Sequence, residues 1–248
     1  MQQLFRGLAA AIRTLSIVPV PGKDPDSFST ALYWFPLVGL LLGAVQLFFA
    51  LLVSRADWLE FAGFVMVFSG LLLTRAIHAD GFADLVDGFW GGKNRESALR
   101  IMKDPSVGSF GSLALISLLL LKWIAATRLL GSEAYSSLLL GILLARSVQV
   151  VLASLFPYAR PEGGTAVSFV SGAGWKQIVV NLALVFLLLF LLIDLSIGLV
   201  ALSSALVAAV LVGFASWRKI AGVTGDVLGA ASELTEVCVW ICCALYLG

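Results

Sequence analysis

The sequence predicts an all-α, polytopic membrane helix bundle, with about seven transmembrane helices and an N-terminal helix lying at the membrane surface. Three observations predict it. The 248 residues are 60% hydrophobic and only 12% charged, whereas soluble domains carry roughly 25% charged residues. The mean hydropathy is +1.02, and several apolar runs approach the ~20 residues needed to cross the hydrocarbon core. Lysine and arginine are also unevenly distributed between successive loops. A net charge of +1 gives no reason to expect a nucleic-acid partner.

The elements follow in order. Leu4, Phe5, Leu8, Ile12 and Leu15 recur at roughly helical spacing, so residues 3–17 read as an amphipathic interfacial helix. Arg13 interrupts this stretch and Pro19 and Pro21 follow it, which argues against a signal peptide. Candidate spans occupy 31–53, 58–77, 108–127, 135–156, 177–193, 195–215 and 227–247. Asp194 and its neighbours alone separate the fifth and sixth, which predicts a tight helical hairpin. Glu233 and Glu236 fall inside the seventh. Cys238, Cys242 and Cys243 lie in the same run without metal-site spacing and read as small packing residues. No internal repeat or low-complexity linker divides the chain, so residues 1–248 are expected to form one membrane domain.

Orientation follows from the basic residues. With the N-terminus inside, the inner segments hold twelve of them: Arg6, Arg13, Lys23, Arg75, Lys93, Arg95, Arg100, Lys103, Arg160, Lys176, Arg218 and Lys219. The outer loops hold two, Arg55 and Arg128. Residues 78–106, 157–176 and 216–226 are therefore expected on the cytoplasmic face. Lys122, near the outer end of its span, is expected to snorkel. Arg146 lies mid-span in LLARSVQVV. It should face the bundle interior, meeting Glu233 or Glu236 or a phosphate deep in the cleft, because a charge in lipid costs at least ~2.5 kcal/mol.

The stretch HADGFADLVDGFWGG, residues 78–92, carries the densest chemistry. On a helix, Asp80, Asp84 and Asp87 share an arc of roughly 60°. Three carboxylates so close repel one another unless a cation sits among them. Oxygen ligands suit Mg²⁺, or Mn²⁺ in its place. His78 projects roughly 160° from Asp80 and reads as a packing histidine. Downstream, NRESALRIMKDP predicts a short helix capped by Asn94 and stopped before Pro105. Its basic residues Lys93, Arg95, Arg100 and Lys103 suit either lipid headgroups or substrate phosphates. A carboxylate cluster beside a basic strip fits phosphoryl transfer. No P-loop and no Ser/His/Asp or Cys/His pairing is present, so an NTPase or covalent hydrolase is not suggested.

Six stretches occur in order: RTLSIVPVP, FPLVGLLLGA, HADGFADLVDGFWGG, RIMKDPSVGSFG, PYARPEG and TGDVLGAASELTE. Together they resemble the adenosylcobinamide-GDP ribazoletransferase, or cobalamin synthase, family over residues 13–236. The resemblance implies a Mg²⁺-dependent enzyme of the bacterial inner membrane, with its active site facing the cytoplasm. It would transfer the cobinamide phosphate of adenosylcobinamide-GDP to the ribose hydroxyl of α-ribazole or its 5′-phosphate. GMP would leave, in the last steps of vitamin B12 biosynthesis. The family's acidic motif falls on Asp80, Asp84 and Asp87, its RIMKD stretch on Arg100, Lys103 and Asp104, and its later motifs on Arg160 and Asp226. This implies metal binding by Asp80, Asp84, Asp87 and Asp226, and phosphate binding by Lys93, Arg100, Lys103 and Arg160. A general base at Asp84, Asp104 or Asp226 is implied as well. Self-association is left open. A CDP-alcohol phosphotransferase is the nearest rival, but no DxxxD follows Asp87. A transporter is the other rival, but the richest chemistry lies outside the midplane.

Overall fold

A computed structural model describes residues 2–160 and 162–248. Pro161, within PYARPEG, lies outside them. The chain is all-α. The amphipathic helix α1 (Gln2–Leu15) buries Ala10, Ala11 and Leu15 and exposes Leu4 and Phe5. A 3-10 helix (Phe28–Trp34) follows and runs into α2 (Phe35–Ser54). Next come α3 (Leu59–Thr74), α4 (Ile77–Gly91), the short α5 (Arg95–Ile101), α6 (Ser109–Gly131) and α7 (Tyr135–Leu155). The single turn α8 (Val167–Val170) precedes α9 (Trp175–Leu192), α10 (Leu195–Ile220) and α11 (Gly225–Leu247).

All seven expected spans are helices, but not all are long enough to cross. Five are apolar and long enough by themselves: Phe28–Ser54, α6, α7, α10 and α11. Helix α3 qualifies only together with α4, from which it is bent by 89°. Its 16 residues reach ~24 Å at 1.5 Å per residue, short of the ~30 Å hydrocarbon core. Helix α9 is apolar but also short. The count is therefore five or six, where seven were expected.

The bend between α3 and α4 sets up the site. Arg75 (φ 54°) and Ala76 (φ 53°) are both left-handed, a conformation that is costly without glycine. The Ala76 N–H returns to the Leu71 carbonyl at 2.8 Å, closing the end of α3. Helix α4 therefore leaves the direction of α3 at nearly a right angle.

Side-chain bonds gather the connecting segments at one end of the bundle. Arg95 donates to the carbonyls of Ile220 (2.9 Å) and Ala159 (2.7 Å), and Lys219 donates to that of Gly92 (2.7 Å). Tyr158 and Val223 form a parallel β-bridge. At the opposite end, Trp123 donates to the Glu60 carbonyl at 2.7 Å. The link between α9 and α10 is short, as expected, yet α9 packs chiefly on α7 rather than on α10.

Helix α11 is the central element, packed on α4, α6, α7 and α10. Its polar seam corrects two expectations. Lys122 does not snorkel: it is 5% exposed and sits 2.8 Å from both Glu233 and Glu236. Arg146 faces the interior, but its Nη1 donates to the Ser232 hydroxyl. The ion pairs expected of Arg146 are thus made by Lys122, whose position on α6 lets the amine reach α11 directly. These two cations and two carboxylates sum to zero charge. An uncompensated buried ion is strongly destabilising, by about 3–5 kcal/mol when one partner is removed. Lys122→Met should therefore lower the thermal unfolding midpoint in detergent sharply. Lys122→Met combined with Glu233→Gln rebalances the seam and should recover most of the loss. Equal midpoints for wild type and Lys122→Met would show that the seam carries no stability.

Candidate active site

Helix α4 rests on the first turns of α11 at backbone distance. A Cβ on Gly81 would lie 2.9 Å from the Asp226 Cα, and one on Gly229 would lie 3.1 Å from the His78 carbonyl oxygen. A side chain at Gly81 would force the two backbones apart, and one at Gly229 would press the His78 carbonyl back by a few tenths of an ångström. The contact brings the α4 stripe against the start of α11, where Thr224 caps the helix by accepting the Val227 N–H at 3.3 Å.

The three stripe carboxylates meet different surroundings. Asp80 is exposed, Asp84 is half-buried and Asp87 is buried. Asp87 accepts the Gly108 N–H on Oδ2 (2.7 Å) and the Gly111 N–H on Oδ1 (2.9 Å). It therefore caps α6 from outside, where the helix dipole favours a negative charge. Asp226 is held by Arg160 Nη2 at 2.6 Å and by the Thr224 hydroxyl at 3.2 Å. Asp87 and Asp226 are thus compensated, whereas Asp80 and Asp84 have no such partners among the described residues. Burial, then the charges of Asp80, Asp226 and Asp87, push the Asp84 carboxyl up to about 7 against the pull of Arg160.

The expected basic strip does not converge as a unit. Arg160 alone reaches the carboxylates. Its Nη2 also approaches the Met102 carbonyl at 3.4 Å, and its Nε is buried without a partner. Lys103 lies 3.9 Å from Glu162, both being exposed. Lys93 and Arg100 are exposed. Arg95 is a structural staple. The Asp104 carboxylate accepts the Ser106 N–H at 2.9 Å, and that bond, with the Ser106 hydroxyl, holds it below the usual carboxylate range.

Sequence reasoning missed Tyr158 and Thr224. The Tyr158 hydroxyl is buried with no hydrogen-bond partner of good geometry among the described residues, and burial pushes the phenol up against the pull of the nearby Arg160. Its place beside Arg160 in PYARPEG was the available signal. A cavity of about 970 Å³ is lined by Phe82, Leu85, Val86 and Phe89, on the face of α4 turned away from the aspartates, with Arg218 and Lys219 from α10 on its wall. It is mainly apolar and includes none of the site carboxylates.

Among the described residues, no three of His, Cys, Asp and Glu converge closely enough to enclose a metal ion. Mg²⁺ does not require such a cage, since it is commonly held by one or two carboxylates, substrate phosphates and water. Two uncompensated carboxylates beside an arginine fit that donor set.

The sequence profile of the family described as cobalamin-5-phosphate synthase matches residues 7–244. The chain belongs to this family. Similar proteins named adenosylcobinamide-GDP ribazoletransferase occur in Chlorobium chlorochromatii, 56% identical over 98% of each chain, and in Pelodictyon phaeoclathratiforme, 57% identical over 98% of each chain. One from Citrobacter koseri is 36% identical over 96% of this chain and 97% of its own. No solved structure matches. The match to the cobalamin-5-phosphate synthase family runs through α4, the 157–166 loop and the start of α11, so every element of the carboxylate site lies inside it.

The Asp84 environment has a measurable consequence. Its folded-state value near 7 lies above the ordinary 3.8, so the fold binds this proton more tightly than the unfolded chain does. The resulting stability is fully present below about pH 4 and lost as pH rises through about 7. In chelator-treated protein, the unfolding midpoint should fall between pH 5 and pH 8 by more than it does in Asp84→Asn. Identical pH profiles would contradict this. Gly81→Ala should push α4 off α11 at a cost of roughly 1–3 kcal/mol and lower activity more than tenfold, without preventing membrane insertion. Unchanged activity would show that the approach is not needed.

Proposed function

We propose that the cleft between α4, α11 and the 157–166 loop carries the adenosylcobinamide-GDP ribazoletransferase reaction of cobalamin nucleotide-loop assembly. The carrying observation is the family match across nearly the whole chain, which includes two uncompensated carboxylates beside Arg160. The substrates are adenosylcobinamide-GDP and α-ribazole or its 5′-phosphate. The ribose hydroxyl oxygen forms a new bond to the cobinamide phosphorus, and the bond from that phosphorus to the oxygen of GMP breaks. Asp226, oriented by Thr224 and Arg160, receives the hydroxyl proton.

Asp80 and Asp84 are the residues suited to hold Mg²⁺, or Mn²⁺ in its place. When bound, such an ion supplies charge neutralisation at the pyrophosphate oxygens. Asp87 is committed to α6 and lies outside this ligand set. Arg160, with its unpartnered Nε, positions the pyrophosphate, and Lys103 and the exposed Lys93 and Arg100 guide its approach. Asp104, turned to Ser106 in solvent, takes no part. Residues 1–248 act as one domain in the bacterial inner membrane with this end facing the cytoplasm, as the basic-residue asymmetry supports.

Purified protein in liposomes should release GMP from adenosylcobinamide-GDP only when α-ribazole or its 5′-phosphate is present. EDTA should abolish the release and added Mg²⁺ restore it. Asp84→Asn should cost more than a hundredfold in rate, equivalent to roughly 2.7 kcal/mol, with insertion unchanged. Near-normal turnover in Asp84→Asn, or indifference to EDTA, would refute the assignment. Orientation is tested by thiol labelling in a background lacking Cys238, Cys242 and Cys243. Lys93→Cys and Glu162→Cys should label from the cytoplasmic side, and Ser132→Cys from outside. The reverse pattern would overturn the cytoplasmic placement.

A further inference from the structure

The crevice of about 970 Å³ behind α4 takes no part in the carboxylate site. It lies between α4 and α6 on one side and α10 on the other, with Leu234 contributed by α11. It exists because α10 packs chiefly on α11 and α7 rather than on α4 or α6. Phe82, Leu85 and Val86 line it from α4 and are buried. Leu113 of α6 and Leu211 of α10 also line it and are 66% and 63% exposed, so they form its open lips. Both belong to helices long and apolar enough to cross a membrane. The crevice therefore opens towards lipid, and water inside its apolar part would find few polar partners.

One end of this apolar crevice is cationic. Arg218 and Lys219 lie on its wall, in the last turn of α10. No Asp or Glu shares that wall among the described residues. Lys219 commits one ammonium donor to the Gly92 carbonyl at 2.7 Å, which leaves the others for a ligand. Arg218 is exposed, and no carboxylate lies within ion-pairing distance of it among the described residues. Its guanidinium carbon lies 5.8 Å from the centre of the Phe214 ring, a contact that uses the face of the cation and not its N–H donors. Trp90, on the same wall, and Trp217, beside Arg218, are 68% and 51% exposed. Exposed tryptophans collect at the headgroup level of a bilayer. The two cations thus sit at that level, and the apolar part runs inward from them for ~10 Å along α10, at 1.5 Å per residue from Arg218 to Leu211.

We propose that this crevice holds one anionic phospholipid, with its phosphate on Arg218 and Lys219 and an acyl chain against Phe82, Leu85 and Leu211. Basic pockets between spanning helices bind anionic headgroups, and a guanidinium pairs with phosphate through two parallel hydrogen bonds. The volume is roughly six times the ~150 Å³ apolar cavity that takes a benzene ring, which suits a long chain. The lipid fills the space behind the helix that carries Asp84, on the face opposite the aspartates. Its site stands or falls independently of the transferase reaction.

The test uses the full chain in nanodiscs of equal phosphatidylglycerol and phosphatidylcholine with matched acyl chains. The protein is then released, and its retained lipid is weighed by native mass spectrometry. Phosphatidylglycerol should be retained in preference by at least roughly fivefold, the effect of one basic residue at a membrane surface, and added inorganic phosphate should not displace it. Arg218→Gln removes a charge from an exposed side chain and should bring the two lipids to near-equal retention. Ala215→Trp places a large ring in the crevice from an exposed position on its wall and should remove retained lipid of both kinds. Equal retention in the wild type, a preference that survives Arg218→Gln, or bound lipid that survives Ala215→Trp would each overturn the site. So would a lipid-free dimer that Ala215→Trp converts to monomer, since a second copy would then cover the crevice.

Discussion

Gly81 and Gly229 let α4 lie on the backbone of α11, and the chemistry at this end of the bundle depends on that contact. Without it, the aspartate stripe would be a charged helix end facing solvent. With it, Asp84 is half-buried near Asp226, and the 157–166 loop can place Arg160 on the same carboxylate. The left-handed pair Arg75 and Ala76 turns α4 nearly at a right angle to α3, and the Asp87 cap on α6 fixes its far end. Local strain at one end of the helix and a two-hydrogen-bond cap at the other keep the stripe in place. Backbone strain of this kind is typically found near functional sites, where surrounding structure enforces it.

Helix α11 can serve as the platform because its own position is fixed from within. Lys122 from α6 meets Glu233 and Glu236, Arg146 from α7 meets Ser232, and Gln149 from α7 meets the Leu228 carbonyl. Ions buried in an apolar bundle are stable only when paired, so this seam admits few alternative registers of α6, α7 and α11. Structural charges deep in the bundle are compensated to neutrality. Those at the end of the bundle are not, and that imbalance separates the site from the scaffold.

Helix positions were largely legible from sequence because apolar run length is a local property. The bend after α3 was not, since neither Arg75 nor Ala76 is a residue that announces a left-handed turn. Lys122 was misread for a related reason: its partners lie more than a hundred residues away, and a lysine in an apolar run looks the same whether it snorkels or pairs. The aspartate stripe was visible as a periodicity. Its division of labour was not, because Asp87 is set apart by the amides of Gly108 and Gly111, and Asp226 by Arg160. Spacing shows which side chains share a face. It does not show which of them already have partners.

We propose that Asp80 and Asp84, which have no cationic partner among the described residues, together take a divalent ion whose coordination a pyrophosphate completes. The most direct measurement is Mn²⁺ binding followed by electron paramagnetic resonance, with and without inorganic pyrophosphate. The account predicts one class of Mn²⁺ site whose affinity rises at least tenfold with pyrophosphate. It should be lost in Asp80→Asn and Asp84→Asn and survive the Asp104→Asn change. Mn²⁺ binding that is indifferent to Asp80 and Asp84, or to pyrophosphate, would contradict it.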